Sequence, residues 1–343
     1  MKKHIIVFSV ACCAAALLIC AAFALFPDVN DTSCPNDSGI PAVNDVSSLQ
    51  QESSVSSIDE ISDENSTADE SDALLPERFT AVWITDTQYY SKYYPATQTA
   101  MVDWICEWAL DGNAQLAFHT GDIVHNYDAV EQWEAAKAEY SKLNGKIKYI
   151  LLAGNHDVGF SAVDYSQYFK YIGDGEKVVP EGEGGIFDNG KAQYILFSSQ
   201  THDYIFLGFC WNTSTAMLEW ANALLEQYSD RTAIFMTHSY LEIDSTLTSN
   251  GERLFNELIS TSPNIRLVLC GHNHGAAQVA SEIDDNGDGI TDRTVYQILA
   301  DYQAEQKGGQ GYLRLLTFDE IEKKLLIRTY SPLLDDDDYY EDG

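Results

Sequence analysis

Short apolar runs rich in β-branched and aromatic residues alternate with amphipathic stretches along most of this 343-residue chain. The runs predict strands at Phe79–Thr85, Gln115–His119, Ile147–Leu152, Tyr194–Phe197, Tyr204–Phe209, Thr232–Thr237, Ile265–Cys270, Thr294–Leu299, Tyr312–Phe318 and Leu325–Tyr330. Apolar positions recurring at helical spacing predict helices at Thr97–Ala109, Ala129–Leu143, Ala162–Tyr171, Thr215–Gln227 and Gly251–Ser260. The early strands alternate with helices and the last three follow one another. That order predicts mixed sheets covered by helices, an α/β class different from a doubly wound nucleotide fold. The one Gly-rich run, Glu181–Gly185, is acidic and lacks a phosphate-loop pattern, so it reads as a flexible loop.

The pattern fails at both ends. Ile5–Phe26 is an uncharged apolar run behind Lys2 and Lys3. At about 1.5 Å per residue it is long enough for a hydrocarbon core roughly 30 Å thick. Ala22-Phe23-Ala24 also suits a signal-peptidase site, so residues 1–26 read as a signal peptide or an N-terminal membrane anchor. Either reading places the remainder outside the cytoplasm, as a membrane-anchored or secreted protein. Residues 27–76 are rich in Ser, Asp, Glu and Asn, and Pro27–Glu77 holds 13 acidic residues and no Lys or Arg. Such a segment buries too little apolar surface to offset its ordering entropy, which predicts a disordered acidic tether. Residues 77–332 have the composition of one globular domain, and 333–343, with DDDDYYEDG, read as a disordered acidic tail.

The formal charge is −33, from 20 basic and 53 acidic residues, and no basic cluster follows Lys3. No nucleic-acid polymer is expected as a partner, because its backbone needs a basic footprint. Any recognition of phosphate must come from a local positive centre. Past the apolar segment only Cys34, Cys106, Cys210 and Cys270 remain, too few for a disulfide framework.

Candidate chemistry gathers where predicted strands end. The ends read Asp86-Thr-Gln88, Gly121-Asp122, Gly154-Asn-His-Asp157, His238, and Gly271-His-Asn-His274. In α/β folds the loops at strand C-termini converge, so side chains far apart in sequence can share one cleft. Asp86 with Gln88 and His272 with His274 are spaced i, i+2, which in extended chain puts both members of a pair on one side. Taken singly these residues have plain readings: Asp and Asn are common in turns, and a lone histidine such as His238 is more often a hydrogen-bonded core residue.

Five such motifs in this order resemble the calcineurin-like metallophosphoesterase superfamily, over essentially all of residues 79–331. Leu299–Gln303 (LADYQ) and Thr329–Pro332 (TYSP) are further similar to exported bacterial members, without a chemical role attached. The resemblance implies a four-layer αββα sandwich and a phosphoesterase that hydrolyses phosphomonoesters or phosphodiesters by in-line attack of hydroxide activated by two metal ions. It implies that Asp86, Gln88, Asp122 and His274 hold one ion and that Asp122, Asn155, His238 and His272 hold the other, with Asp122 shared. It also implies that His156 meets the scissile phosphate as general acid or charge stabiliser, oriented by Asp157. Two cations about 3.5–4 Å apart supply the positive charge that this acidic chain lacks. Gln88 departs from the family pattern, which has His there. An amide oxygen favours Mg or Mn where imidazole suits Zn or Fe, so among Mn, Fe, Zn and Mg the expectation tilts to Mn.

Two other readings stay open. Asp284, Asn286, Asp288 and Asp292, with Gly289, match positions of a calcium loop, but position 12 is Val295; the stretch reads as a structural calcium site or as a solvated Asp/Gly turn. The whole chain has an alternative as a non-catalytic, metal-dependent binding module tethered at the cell surface. Its expected partners are a phosphate-ester small molecule or surface-linked substrate, and the membrane if the N-terminal segment is retained.

Overall fold

The computed structural model describes residues 77–159, 162–173 and 182–337. The apolar segment 1–26, the acidic linker 27–76 and the end of the tail lie outside the described residues. Among those described, no helix is long and apolar enough to cross a membrane.

Two mixed sheets form the body. The first has β1 (Arg78–Ile84) flanked by the parallel β2 (Leu116–His119) and the antiparallel β11 (Leu313–Asp319), with β3 (Lys148–Leu151) beyond β2 and β12 (Lys324–Tyr330) beyond β11. The second runs in the order β4 (Gly184–Phe187), β5 (Ala192–Ser198), β6 (Asp203–Phe209), β7 (Thr232–Thr237), β8 (Ile265–Cys270), β10 (Arg293–Asp301), β9 (Gly275–Ile283). Its central strands β6, β7 and β8 are parallel.

Strand alternation explains the layering. On β6, Tyr204 and Phe206 enter the core shared with the first sheet, while Ile205, Leu207 and Phe209 enter a second core. β7 repeats this with Ile234 and Met236 against Ala233 and Phe235. Between the sheets, Phe79 stacks on Phe318 at 4.6 Å, and Phe118 on Phe206 at 5.0 Å. The outer face of the second sheet is covered by α5 (Thr215–Gln227) and α6 (Ser249–Leu254), through Met217, Leu218, Ala221 and Leu254. The outer face of the first is covered by α2 (Pro95–Leu110) and α3 (Val130–Tyr140), from which Met101, Ile105 and Trp133 are buried. The result is helices, sheet, sheet, helices. The α5 start is fixed locally, since Ser214 Oγ accepts the Met217 N–H at 3.2 Å, and α2 opens on Pro95.

Thr232–Thr237, Ile265–Cys270 and Thr215–Gln227 fall as the sequence predicts, and the other expected strands are present with slightly shifted ends. Four features differ. The acidic glycine run does not stay a loop: Gly184 begins β4, which pairs with β5 because backbone amides need no apolar side chain to pair. β9, GAAQVASEI, was not predicted; it is an edge strand with alternate exposed residues and weak β-formers, and pairing with β10 overrides its propensity. The helix expected at 162–171 is reduced to α4 (Ser166–Tyr168) and a π turn (Phe169–Gly173). The acidic tail is not free over Leu333–Asp337, where the Ser331 N–H donates to the Asp336 carbonyl at 2.9 Å and Tyr312 donates to the Asp336 carboxylate at 2.8 Å.

Candidate metal centre

β1, β2 and β3 of one sheet and β7 and β8 of the other deliver their C-terminal residues to one place. The backbone there is held out of ordinary conformations. Asp86, Asp122 and His272 have φ of 51°, 58° and 76°, in the left-handed region that costs a non-glycine residue energy. Asp86 and Gln88 are therefore not presented from extended chain: Gln88 opens the short helix α1 (Gln88–Lys92), and His272–His274 follow bends. Both i, i+2 pairs are aimed by turn geometry rather than by strand pleat, because a strand that must end at the cleft cannot continue through it.

The tightest group is Asp122, His238 and His272, whose ligand atoms all lie within 4.8 Å of one another. His238 is fully buried, and its Nδ1–H donates to the Thr120 carbonyl at 2.9 Å. That leaves Nε2 facing Asn155 Oδ1 at 3.0 Å and Asp122 Oδ1 at 3.3 Å. Burial alone pulls the imidazole down, but the Asp122 and Asp86 carboxylates outweigh it and push its pKa up to about 10. The His272 ring packs at 4.9 Å from His238 and 5.2 Å from Trp211, and burial followed by the charge on His238 lowers it to about 4. Asn155 thus joins Asp122, His238 and His272 in one cluster.

Asp86 and Gln88 stand on the other side of Asp122. The Gln88 amide donates to Asp122 Oδ2 at 3.2 Å. Asp86 accepts the His272 N–H at 3.1 Å and the Thr85 hydroxyl. Burial, then Asp301, raises Asp86 well above the usual carboxylate range. Asp122 moves the opposite way: burial raises it, yet the neighbouring imidazole of His238 holds it below that range. The two shifts have one origin, since a single buried cation cannot neutralise the surrounding carboxylates, and the nearer one takes it. His274 is set apart, with its side chain 50% exposed and Nε2 turned to Gln303 at 2.6 Å and Asp301 at 4.0 Å.

These residues fit divalent cations on three observations. Carboxylates outnumber cations among the buried groups. Gln88 Oε1 is buried without a hydrogen-bond partner. The Thr120 carbonyl fixes His238 through Nδ1 and leaves Nε2 toward the cluster, the outer hydrogen bond typical of a metal-bound histidine.

His156 reaches the rim of this centre, its Nε2 4.0 Å from Asp122 Oδ2. Its orientation differs from expectation. Asp157 does not hold the ring; its oxygens accept the N–H groups of Ile123, Val124 and Gly154 at 3.0, 2.8 and 2.8 Å. Asp157 is buried, and burial followed by Asp122 raises its pKa to about 7 against those three amides. It fastens the β2 loop to the β3 loop. The His156 ring is oriented by the His125 carbonyl, 2.8 Å from Nδ1, and by stacking on the His125 ring at 5.0 Å. From sequence, His125, three residues after Asp122, reads as a surface-loop residue or a substrate contact, and Trp211, Asp301 and Gln303 carry no assigned role. Trp211 and Asp301 lie at or just past the ends of β6 and β10, so extending the strand-end rule to every strand would have found them.

Gly154 has a packing reason for its identity: a Cβ there would overlap the Asp122 carboxylate and backbone nitrogen. Gly154→Ala is expected to cost about 1–3 kcal/mol of stability by overpacking, with a lowered Tm and lowered metal content. Wild-type values for both would contradict this placement.

The Asp284–Asp292 loop joins β9 to β10. Its carboxylates accept from their own loop: Asp284 from Gly287 and Gly289 at 2.7 and 2.6 Å, Asp292 from Asp285 at 2.8 Å.

Against this geometry stand the comparisons with known proteins. The model of the calcineurin-like phosphoesterase family matches residues 79–276. The chain belongs to that family. It is 40% identical over 266 residues to "Uncharacterized protein YvnB" of Bacillus subtilis (strain 168), covering 77% of this chain and 21% of that protein. The chain thus spans about a fifth of that relative's length. Among solved structures, purple acid phosphatase PPD1 from yellow lupin (Lupinus luteus) seeds superposes with a TM-score of 0.50 at 13% identity, over 76% of this chain and 53% of that one. GAP50, the anchor in the inner membrane complex of Plasmodium, gives 0.48 at 12% identity, over 76% and 87%. The lupin likeness is one of fold alone.

Proposed function

We propose that this chain is a dimetal phosphoesterase working outside the cytoplasm on phosphomonoesters or phosphodiesters, small or linked to the cell surface. The observation that carries the reading is the cluster of Asp122, Asn155, His238 and His272, built on the buried Asp122 and His238, with Asp86 and Gln88 against Asp122. Asp86, Gln88, Asp122 and His274 would hold one cation, and Asp122, Asn155, His238 and His272 the other. Two cations there would supply Lewis acidity and the positive charge that this acidic chain lacks.

The chain's own groups do the rest. Asn155 and Gln88 add neutral oxygens, so the site keeps net positive charge for an anionic phosphate. His156, whose Nδ1–H donates to the His125 carbonyl, turns Nε2 toward the cluster, where it would pass a proton to the departing ester oxygen. Trp211 walls the His238 and His272 rings and limits water on that side. The setting outside the cytoplasm is supported by the apolar run Ile5–Phe26 behind Lys2 and Lys3. Fractionation of cells making the full chain should find it in the membrane or the medium; a protein confined to the cytosol would sink this part of the proposal.

Gln88 bears on metal choice. Gln88→His is expected to shift retained metal from Mn or Mg toward Zn or Fe, by exchanging an amide oxygen for imidazole. Elemental analysis after gel filtration reads this. A tightly held zinc pair in the wild type would contradict the preference.

A further inference from the structure

Leu299–Gln303 lies beyond the span matched by the family model, residues 79–276. β10 sits between β8 and β9 in the sheet, and its register sets Asp301 opposite Gly275. His274 is the residue just before Gly275, so the end of β10 is carried to the second histidine of the Gly271–His274 turn. Asp301 is 2% exposed and Gln303 is 6% exposed. Asp301 Oδ1 accepts the Gln303 N–H at 2.8 Å, and Gln303 Nε2 lies 3.4 Å from Asp301 Oδ2. The same Nε2 lies 2.6 Å from His274 Nε2. Gln303 Oε1 is buried with no partner, as Gln88 Oε1 is. A buried amide oxygen left unmatched is costly, and exchanging the amide's oxygen and nitrogen, which have the same shape, sets that oxygen against an Nε2–H of His274.

We propose that Asp301 and Gln303 are positioning residues for His274: the Asp301 carboxylate clamps Gln303 through its backbone N–H, and the Gln303 amide oxygen takes the Nε2–H of the imidazole, which leaves Nδ1 for the first cation position. The proposal rests on the reading of His274 as a ligand. The physical need is specific to this histidine. His238 is buried and pinned by the Thr120 carbonyl, and His272 packs between rings. His274 is half exposed, and among the described residues its hydrogen-bond partner is Gln303. A ring held in place before the cation arrives loses less rotamer freedom on binding, and outer partners of this kind are worth about 10–100-fold in metal affinity.

The test is titration of the metal-free full-length protein with Co(II), followed by visible absorption and by metal per chain. Wild type, Gln303→Ala, Gln303→Glu, Asp301→Asn and His274→Ala are compared, with the Tm of each metal-free protein as a control on folding. Gln303→Ala is expected to weaken one of two binding steps by about 10–100-fold and to leave the other. Asp301→Asn should weaken the same step less, because Gln303 loses only part of its clamp. Gln303→Glu keeps an acceptor of the same length and should retain both steps. The proposal is overturned if Gln303→Ala and Asp301→Asn bind both ions as wild type does. It is equally overturned if both variants lose the two steps together with a fallen Tm, since the pair is then structural. If His274→Ala loses one step and Gln303→Ala does not, only this inference falls. A wild type that takes up no second ion, or a His274→Ala variant that keeps both, removes the reading of His274 as well.

Discussion

Asp122→Asn should leave a folded protein with both cation positions crippled and turnover reduced by at least roughly 10²–10³-fold, the cost of removing one central electrostatic group. The expectation follows from where Asp122 stands. One oxygen accepts the His156 backbone N–H at 2.9 Å and faces His238 Nε2 at 3.3 Å; the other accepts the Gln88 amide at 3.2 Å. Asparagine keeps the shape and one acceptor oxygen, so the left-handed turn survives. It removes the only carboxylate shared by both proposed ligand sets. In the wild type, cations at 100 times their Kd add about 2.7 kcal/mol to stability. The variant should show a small fraction of that thermal shift. A variant with wild-type metal content and turnover would mean that Asp122 is not the bridge.

His156→Ala should behave in the opposite way toward metal and in a graded way toward substrate. Its side chain makes no contact that a cation position needs; the bond to Asp122 comes from the His156 backbone. Metal content and metal-induced stabilisation should therefore match the wild type. Turnover should fall by about 10²–10⁴-fold on alkyl phosphate esters, whose leaving oxygen needs a proton. The loss should be much smaller on nitrophenyl esters, whose leaving group departs readily as an anion. An equal loss on both classes would assign His156 to binding the phosphate rather than to proton delivery. Since the ring is aimed by the His125 carbonyl and not by Asp157, Asp157→Asn should act chiefly on stability, through the three amides it accepts.

Much of this molecule can be read from residue patterns because its strands are buried on both faces. β7 and β8 need an unbroken apolar run to fill two cores at once, and such runs are visible by eye. β9 needs no such run at the edge, and β4 begins in glycines, so neither stands out. The candidate centre was legible for a related reason. Asp86, Asp122, Asn155, His238 and His272 each lie within four residues of a strand's C-terminal end, and converging strand ends bring them together whatever the intervening chain does. Orientation was not legible. The positive φ of Asp86, Asp122 and His272 replaces the extended geometry expected of the i, i+2 pairs, and nothing in residue identity announces it. Nor does sequence say that the Asp157 carboxylate turns inward to backbone amides while a carbonyl takes its place behind His156. His125 contributes that carbonyl, and a backbone atom leaves no trace in a motif.

The central claim, that this cluster hydrolyses phosphate esters with the help of divalent cations, is tested most directly by one assay series. Purified full-length protein is stripped of metal and presented with chromogenic phosphate mono- and diesters and nucleotides, before and after Mn is restored. The account predicts negligible hydrolysis when stripped, restoration by Mn on at least one ester class, and no restoration in Asp122→Asn. A wild type inert on the whole panel with metal present, or a rate indifferent to metal, would contradict it.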